Sequence, residues 1–316
     1  MEIQREVRAA AERIAGRVRR TPVERSPALT TGGGGTVWLK LENLQLTGSF
    51  KLRGASNKIL SLDETDRRRG VVVASSGNHG AAVACAAAAA GCSALVFVPE
   101  GVADTKLAAI RSWGAEVRAQ AGDPVLAELA ARRHADAAGM TYISPYNDPE
   151  VIAGQGTLGA ELAEQLPRLD AVFLAMGGGG LAAGAGGCLK AVWPELRVVA
   201  CSPERSPVMH ASLAAGRIVE IESLPTLSDG TAGGVEPGAV TFELCREIVD
   251  ESVLVGEDAI RDAVRLIIDR HHTLIEGAAG VAVAGYLATR ERFAGQDVAI
   301  VLCGANIDPA VLRGIL

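Results

Sequence analysis

The sequence predicts an α/β fold in which parallel sheets are covered by helices on both faces. Short runs rich in valine, leucine and alanine alternate with segments of helical pattern along most of the chain. The strand-like runs are largely apolar, which is typical of strands buried on both faces. Glycine-rich or polar stretches follow three of these runs. In parallel sheets, ligands bind beyond the carboxyl ends of the strands, so these stretches are candidates for a binding site.

Seven segments are predicted to be strands. In chain order they are TVWLKLE (36–42), GVVVASS (70–76), ALVFVP (94–99), EVRAQ (116–120), AVFLAMG (171–177), RVVACSPE (197–204) and DVAIVLCG (297–304). The segments that follow 70–76 and 94–99 are predicted to be helices, the first of them rich in alanine. The loops SSGNHG, GGGGLAAG and CGAN lie at three of the strand ends, and we expect them to meet in one shared site.

Composition and charge exclude several classes of protein. The chain has 316 residues, of which 48% are apolar, and this length predicts about two domains. The net charge is −6 and the basic residues form no face, which argues against nucleic-acid binding. No run approaches the roughly 20 apolar residues of a membrane span, and the N-terminus has no apolar signal core, so we expect a cytoplasmic protein. The six cysteines lack zinc-ligand spacing, so we expect no metal site, and most of them should be reduced and buried.

Four successive glycines, Gly177 to Gly180, link a predicted strand to a predicted helix. Glycine backbones can approach a phosphate closely, and the free N–H groups at a helix start attract its charge. We therefore interpret the run as a phosphate-binding turn. A dinucleotide site is the alternative, because Gly177, Gly179 and Ala182 fit G-x-G-x-x-A and Glu204 ends the next strand. That alternative leaves the SSGNHG loop unexplained.

The SSGNHG stretch (75–80) joins another strand to the alanine-rich helix. It groups four polar side chains, those of Ser75, Ser76, Asn78 and His79. Together with the free amides of a helix start, they form a cup suited to a carboxylate. Ordinary helix capping would explain one of these residues, but not four of them with two glycines.

Lys51 lies between Phe50 and Leu52 in TGSFKLRGA (47–55). A lysine that extends from a helix start towards solvent is one explanation of this setting. Beside a phosphate-binding turn and a carboxylate cup, Lys51 instead indicates a Schiff base with an aldehyde cofactor. Pyridoxal phosphate has both the aldehyde and the phosphate, and its amino-acid substrates carry the carboxylate.

Seven segments in order resemble the pyridoxal-phosphate threonine/serine dehydratase and serine racemase family, of fold type II. They are LENLQLTGSFKLRGA, SSGNHG, AGQGTLGAE, GGGGL, LSDGTAGG, IEGAAG and LCGAN, and they span nearly the whole chain. The resemblance implies two parallel-sheet α/β domains with the active site in the cleft between them. Residues 1–69 and 148–316 would form the large cofactor-binding domain, and 70–147 the small mobile domain. It also implies pyridoxal phosphate as the cofactor and a homodimer as the assembly.

The resemblance implies a role for each matching residue. Lys51 would hold the cofactor as a Schiff base, with Phe50 beside the ring. Asn78 would bind the cofactor's phenolic oxygen, and Cys303 would contact its pyridine nitrogen. The phosphate would be bound by Gly177, Gly178, Gly179, Gly180 and Leu181. The substrate carboxylate would be held by Ser75, Ser76, Asn78 and His79. Ser76 would also face the ring opposite Lys51, and Glu276 matches a family acid near the ring.

These roles imply the dehydration and deamination of a small β-hydroxy amino acid such as L-threonine or L-serine. An apolar pocket would lower the pKa of Lys51, so that its amine could take the α-proton. Loss of the β-hydroxyl would then lead to a 2-oxo acid and ammonia. Racemisation is the alternative, because the Ser76 hydroxyl could return a proton from the opposite face. We favour dehydration because loss of the leaving group is hard to suppress in such a site.

Two segments bear on metal binding and on the substrate. Racemase-like members carry a cation site for which Glu204 matches one ligand, but His210 falls where a further acid is usual. Hard cations prefer oxygen ligands, so activation by a divalent metal is not expected. Residues 207–234 resemble the dehydratases of hydroxyectoine breakdown, which makes a product of that pathway an alternative substrate. The chain ends soon after the last predicted strand, so we expect no regulatory domain and no feedback control by isoleucine.

Two further classes of function stay open on the sequence alone. One is a nicotinamide-dependent oxidoreductase built on the glycine run and Glu204. The other is a non-catalytic binding protein that keeps the fold. A bound pyridoxal phosphate would make the protein yellow, and that colour separates the first alternative from our interpretation.

Overall fold

The computed structural model describes residues 2–30, 34–122 and 124–316. Within these ranges, the strands β1 to β10 are Val23–Arg25, Val37–Lys40, Val71–Ala74, Ala94–Pro99, Glu116–Gln120, Thr141–Tyr142, Ala171–Ala175, Arg197–Pro203, Glu251–Val255 and Val298–Val301. The helices α1 to α13 are Ile3–Ile14, Lys51–Ser61, Glu64–Arg69, Asn78–Ala90, Asp104–Arg111, Pro124–Ala138, Pro149–Gln165, Gly187–Val192, Val208–Ala215, Val240–Ile248, Glu257–His271, Gly277–Thr289 and Pro309–Ile315. Short 3-10 turns span Glu42–Leu44, Asp229–Thr231 and Arg290–Phe293, and a π-helical segment spans Ala182–Gly186.

The strands form two separate sheets. The six-stranded sheet has the order β1-β2-β10-β7-β8-β9, and every pair in it is parallel except β1 with β2. The four-stranded sheet has the order β5-β4-β3-β6 and is parallel throughout. The predicted fold class, two parallel-sheet α/β units, is confirmed. All strands of the smaller sheet lie between residues 71 and 142. The domain limits at 70 and 147 stay a prediction.

All seven predicted strands are present, each within or close to its predicted segment. The sequence reading missed β1, β6 and β9. Strands β1 and β6 have only three and two residues, too few to show a pattern. Strand β9 is an edge strand, ESVLV, whose burial is only partial. Because β9 begins with polar residues, its sequence has no apolar run that would distinguish it from the neighbouring helical segments.

The core is built mainly from valine, leucine, isoleucine and alanine. A few aromatic side chains fill its centre, where Phe173 meets Tyr286 edge-on at 5.4 Å between ring centres. The six cysteines are all free and buried, as most of them were predicted to be. Aliphatic side chains therefore supply most of the buried surface of the core.

Helix α7 packs between two elements that carry predicted site residues. On one side, a Cβ at Gly154 would lie 2.6 Å from the carbonyl oxygen of Arg53 in α2, the helix that Lys51 begins. On the other side, a Cβ at Gly159 would lie 2.7 Å from the carbonyl oxygen of Ala185, in the π-helical segment after the glycine run. The glycines of α7 thus allow both neighbours to approach closely.

Among the residues that the structure describes, no helix has the length and apolar character needed to cross a membrane.

Candidate active site

Lys51 is the first residue of α2, directly after Phe50. Its Nζ donates a hydrogen bond to the carbonyl oxygen of Pro145 at 2.9 Å and lies 5.2 Å from the centre of the Phe50 ring. Burial lowers the pKa of the Lys51 amine to about 8, and the neighbouring Cys303 and Glu276 oppose that shift. An amine with this pKa is partly neutral close to physiological pH and can accept a proton there.

The glycine run forms the turn between β7 and the helical segment that follows. Gly179 has a positive φ of 87°, a conformation that favours glycine. A Cβ at Gly177 would lie 2.7 Å from the carbonyl oxygen of Thr231, and one at Gly178 would lie 2.4 Å from the Tyr146 ring. Side chains are therefore excluded from the turn. The helical segment begins near Leu181, which is buried. The first backbone N–H groups of a helix have no hydrogen-bond partner within that helix.

The loop after β6 connects Lys51 with the glycine turn. Its Pro145 carbonyl accepts the hydrogen bond from Lys51, and the next residue, Tyr146, packs against both Gly178 and Gly180. The Tyr146 hydroxyl accepts a hydrogen bond from the backbone N–H of Glu236 at 2.9 Å, which fixes the ring. The amine and the turn therefore contact the same two-residue segment.

The SSGNHG stretch runs from the end of β3 into α4. Ser75 Oγ accepts a hydrogen bond from the Gly77 N–H at 3.3 Å, and Ser76 lines an open cleft. Helix α4 has 13 residues, and its first N–H groups carry the positive end of the helix dipole. Two serine hydroxyls and a helix start thus meet at one place, which suits a carboxylate ligand.

His79 points away from solvent. Its Nε2 lies 3.0 Å from the carbonyl oxygen of Ile143, and its Nδ1 is buried without a hydrogen-bond partner. Burial and, to a smaller extent, the charge of Lys51 together lower the pKa of His79 to about 3. The imidazole is therefore neutral, donates from Nε2 to the carbonyl and keeps an acceptor at Nδ1. An acceptor cannot bind a carboxylate, so any such contact of His79 must use its backbone N–H.

Asn78 and Glu276 are joined by hydrogen bonds. The Asn78 amide donates to both Glu276 oxygens at 2.8 and 3.0 Å. Asn306 extends this network, because its side-chain amide donates to Asn78 Oδ1 at 2.6 Å and its backbone N–H to Glu276 at 3.0 Å. Burial raises the pKa of Glu276 to about 7, although the bond from Asn78 opposes that shift. Glu276 is thus a carboxyl group that can hold or release a proton near neutral pH.

Cys303 lies just beyond the end of β10, where its backbone carbonyl accepts a hydrogen bond from the Phe50 N–H at 3.1 Å. Its side chain is buried. Burial raises the pKa of the Cys303 thiol well above its usual range, and Glu276 adds to the shift. The thiol is therefore neutral. A neutral thiol would not hold a proton on a pyridine nitrogen as an aspartate would.

A cleft of about 910 Å³ opens beside Ser76, Glu276 and Asn306. Lys106 of α5 lies on its wall, and the Lys106 Nζ forms an ion pair with Asp229 at 2.9 Å. Residues of both sheet units thus border the cleft. Lys51 does not line it. The charge of Glu276, which does line the cleft, opposes the lowering of the Lys51 pKa.

Glu204 and His210 make separate contacts in the structure. Glu204 is exposed beside Gly256, whereas His210 Nδ1 lies 2.8 Å from the hydroxyl of Ser252. Within residues 2–30, 34–122 and 124–316, no group of three or more His, Cys, Asp or Glu side chains could hold a metal ion.

The residues fit pyridoxal phosphate, as the chemistry of the donor groups shows. The site offers an amine of lowered pKa for an aldehyde, a turn free of side chains for a phosphate, and a neutral thiol for a pyridine nitrogen. Lys51, the glycine turn and Cys303 would hold the cofactor, with Phe50 beside its ring. These assignments remain those of the sequence-based prediction.

The sequence reading missed several residues that shape this site. Asn306 stands within the quoted LCGAN motif, so a motif signal was present but no role was given to it. Pro145 and Tyr146 follow the two-residue strand β6, and nothing in the sequence marks them. Their position depends on contacts with α2 and the glycine turn, both distant in sequence.

The comparisons with known proteins agree with this geometry. The model of the family "Pyridoxal-phosphate dependent enzyme" matches residues 14–304. The chain is similar to the L-threonine ammonia-lyase of Thermotoga maritima, with 41% identity over 311 residues, which is 98% of this chain and 77% of that protein.

Solved structures show the same similarity in three dimensions. Maize serine racemase superposes with a TM-score of 0.93 at 32% identity, covering 98% of this chain and 95% of the racemase. The processed form of threonine deaminase isoform 2 from Solanum lycopersicum gives a TM-score of 0.92 at 31% identity, covering 98% of this chain and 92% of that chain. The similar proteins therefore include both threonine deaminases and serine racemases, which correspond to the two reactions considered from the sequence.

Proposed function

Because the chain belongs to the family of pyridoxal-phosphate dependent enzymes, we propose that this ammonia-lyase acts on L-threonine and L-serine. The reaction is a β-elimination that gives a 2-oxo acid and ammonia. The observation that carries the proposal is the setting of Lys51. Its amine has a pKa of about 8 and contacts the same loop as the glycine turn. Similarity to an L-threonine ammonia-lyase over 98% of the chain supports the choice of substrate.

Lys51 would act as the base. When bound, pyridoxal phosphate would supply an aldehyde for amino groups and a ring that accepts negative charge from the α-carbon. Lys51 Nζ, when neutral, can take the α-proton of a substrate held beside it. The Pro145 carbonyl at 2.9 Å gives the amine a fixed acceptor, so it orients the remaining N–H groups and lone pair.

The SSGNHG stretch would orient the substrate. The N-terminal N–H groups of α4 and the hydroxyls of Ser75 and Ser76 suit a carboxylate. A carboxylate held there would fix one end of the substrate. Closure of the smaller sheet unit over the cleft would exclude water from the base.

Replacement of Lys51 tests the proposal, with Lys58 on the same helix as the matched control. Lys51→Ala should lose turnover of L-threonine entirely, whereas Lys58→Ala should retain it, because Lys58 pairs with Asp148. Borohydride treatment of the yellow wild-type protein should fix the cofactor on the peptide that contains Lys51. Turnover by Lys51→Ala, or a label on another lysine, would refute the assignment.

The substrate is tested by product formation. Release of 2-oxo acid and ammonia is measured from L-threonine, L-serine, 3-hydroxyaspartate and the hydroxylated product of hydroxyectoine breakdown. We expect the highest kcat/KM for L-threonine or L-serine. A higher value for the hydroxyectoine product would instead place the substrate in that branch.

Racemisation is a second candidate function, favoured by Ser76 on the cleft and by the similarity to maize serine racemase. A hydroxyl facing the site from the cleft could deliver a proton to the face opposite Lys51. Ser76→Ala should then abolish conversion of L-serine to D-serine while some dehydration of L-serine remains. Equal loss of both reactions in Ser76→Ala would contradict a two-face arrangement.

We also propose that the protein forms a homodimer, as the family resemblance implies, and that it is cytoplasmic.

A further inference from the structure

A closed cluster of four charged side chains lies next to the first turn of α2. It consists of Lys40, Glu42 and Arg53, which have no exposed surface, and Glu161, whose side chain is 14% exposed. Two cations face two carboxylates, so the cluster has no net charge. None of these residues has a part in the reaction described above.

Arg53 is the centre of the cluster. Its Nε and Nη2 bond to the two oxygens of Glu42, each at 2.8 Å. Its Nη1 and Nη2 bond to the two oxygens of Glu161 at 2.7 and 2.9 Å. The planar guanidinium thus makes two bidentate pairs, which fix direction as well as distance. Lysine could not reproduce this arrangement with its single ammonium group.

Glu42 connects Arg53 to the strand end that carries Cys303. It begins the 3-10 turn Glu42–Leu44, and the N–H of the next residue, Asn43, donates to the Leu302 carbonyl at 2.8 Å. Leu302 directly precedes Cys303. The position of Arg53 is therefore coupled to the position of the thiol.

Glu161 connects Arg53 to the other side of the site. It lies in α7, the helix that packs against both α2 and the π-helical segment after the glycine turn. Thr157, one turn earlier in α7, accepts a further bond from Arg53 Nη1 at 3.2 Å. One side chain, two residues from Lys51, thus joins the elements that carry the amine, the thiol and the turn.

Stability alone does not explain such a cluster. Removing charges from water is costly, and replacing a buried ion network by apolar residues of similar volume is often neutral or stabilising. Directional bonds between distant elements provide a different benefit, because they allow only one arrangement of those elements.

We propose that Arg53 is a positioning residue, which sets the place of the Lys51 amine relative to Cys303 and the glycine turn through its paired bonds to Glu42 and Glu161. The proposal rests on the proposed function, since it assigns Arg53 to the geometry of the Lys51 base. A displacement of about 1 Å at a reacting group can cost on the order of 100-fold in rate.

The test compares Arg53→Lys with Lys40→Met. Arg53→Lys keeps the charge but loses the bidentate bonds to both carboxylates. Lys40→Met removes a cation from the same cluster, but Lys40 bonds to Thr21, Glu161 and Gln165 and to nothing in α2. Both variants should lower Tm, because both disturb the buried cluster. The readouts are kcat and KM for L-threonine, the dissociation constant of pyridoxal phosphate, and the pH midpoint of the bound cofactor's absorbance change.

We expect Arg53→Lys to lower kcat by about 10- to 100-fold, to shift the absorbance midpoint and to weaken cofactor binding. Lys40→Met should keep the wild-type midpoint and a kcat within about twofold, as expected for loss of stability alone. Wild-type kcat and midpoint in Arg53→Lys, or equal shifts in both variants, would overturn the proposal. If Arg53→Lys does not fold, Glu161→Gln, which keeps the side-chain shape, takes its place under the same criteria.

The absorbance midpoint and the cofactor affinity do not depend on the substrate. If the wild type fails to convert L-threonine, the proposed substrate is wrong, but these two readouts still decide the role of Arg53.

Discussion

Glu276 is the residue at which proton binding and folding are most directly linked. Burial raises the pKa of its carboxyl group to about 7, compared with an ordinary value of 4.5. Between these values, the folded protein holds a proton that the unfolded chain has released. Stability from this group is therefore complete below about pH 4.5 and is lost as the pH rises through about 7.

Glu276→Gln should remove this pH dependence. The wild type should lose at most about 3 kcal/mol of unfolding free energy through this group between pH 4.5 and 8, because each pKa unit corresponds to about 1.4 kcal/mol. The variant should show a smaller loss over the same range, since glutamine stays neutral. Urea unfolding at several pH values measures both slopes.

The matched control for Glu276→Gln is Asp258→Asn, which changes a carboxylate of the same cleft whose side chain is 91% exposed. It should keep the wild-type slope, because Asp258 remains in water in both states. A wild-type slope in Glu276→Gln, or a changed slope in Asp258→Asn, would contradict the assignment of this proton to Glu276.

At the scale of single residues, the sequence predicted which residues belong to the site better than it predicted how their side chains are oriented. Lys51 and the SSGNHG residues were predicted from local motifs and Cys303 from the family resemblance, and Lys51 lies close enough to both His79 and Cys303 for their charges to interact. The tautomer of His79 could not be predicted, because it depends on the Ile143 carbonyl at 3.0 Å. The bonds of Asn78 to Glu276 likewise join residues 198 positions apart.

At the scale of helices and strands, apolar runs predicted the buried parallel strands well. Strands β3, β4 and β7 carry such runs, and their residues are mostly buried. Strand β6 has two residues, too few for any pattern, so the loop that holds Pro145 against Lys51 went unnoticed. Segments whose place is set by distant contacts leave no local signal.

The burial of Arg53 in helix α2 is a second feature that the local sequence did not predict. Its sequence KLRGASNKILS places Arg53 among small and apolar residues, which would suit an exposed arginine on an ordinary helix. The guanidinium is instead buried against carboxylates supplied by residues 42 and 161. A buried charge can be predicted only with its partners, and these come from other elements.

At the scale of the whole molecule, polar contacts join the two sheet units. Asn78 meets Glu276, Lys106 meets Asp229 at 2.9 Å, and Arg132 of α6 meets Glu236 at 2.9 Å. The first residue of each pair lies in a helix that connects two strands of the four-stranded sheet. These contacts connect residues of the smaller sheet unit to residues of the larger one.

The Lys106–Asp229 pair should therefore affect substrate binding more than folding. Its side chains are 32% and 59% exposed, so the pair contributes about 1 kcal/mol or less. If that energy favours the closed arrangement, Lys106→Met should raise the KM for L-threonine by up to about fivefold, because fewer molecules are competent to bind. The kcat should stay close to the wild-type value, and Tm should change little.

Two comparisons make this prediction specific to the cleft. Asp229→Asn should raise KM as Lys106→Met does, and the double variant should add nothing further, because both changes remove one interaction. Arg118→Met removes the exposed pair with Glu116 within strand β5, away from the cleft, and should leave KM unchanged. Additive effects in the double variant, or an equal rise in Arg118→Met, would show that the Lys106–Asp229 bond does not control closure. Raised ionic strength should increase the KM of the wild type but not that of Lys106→Met, because salt screens a half-exposed ion pair that the variant lacks.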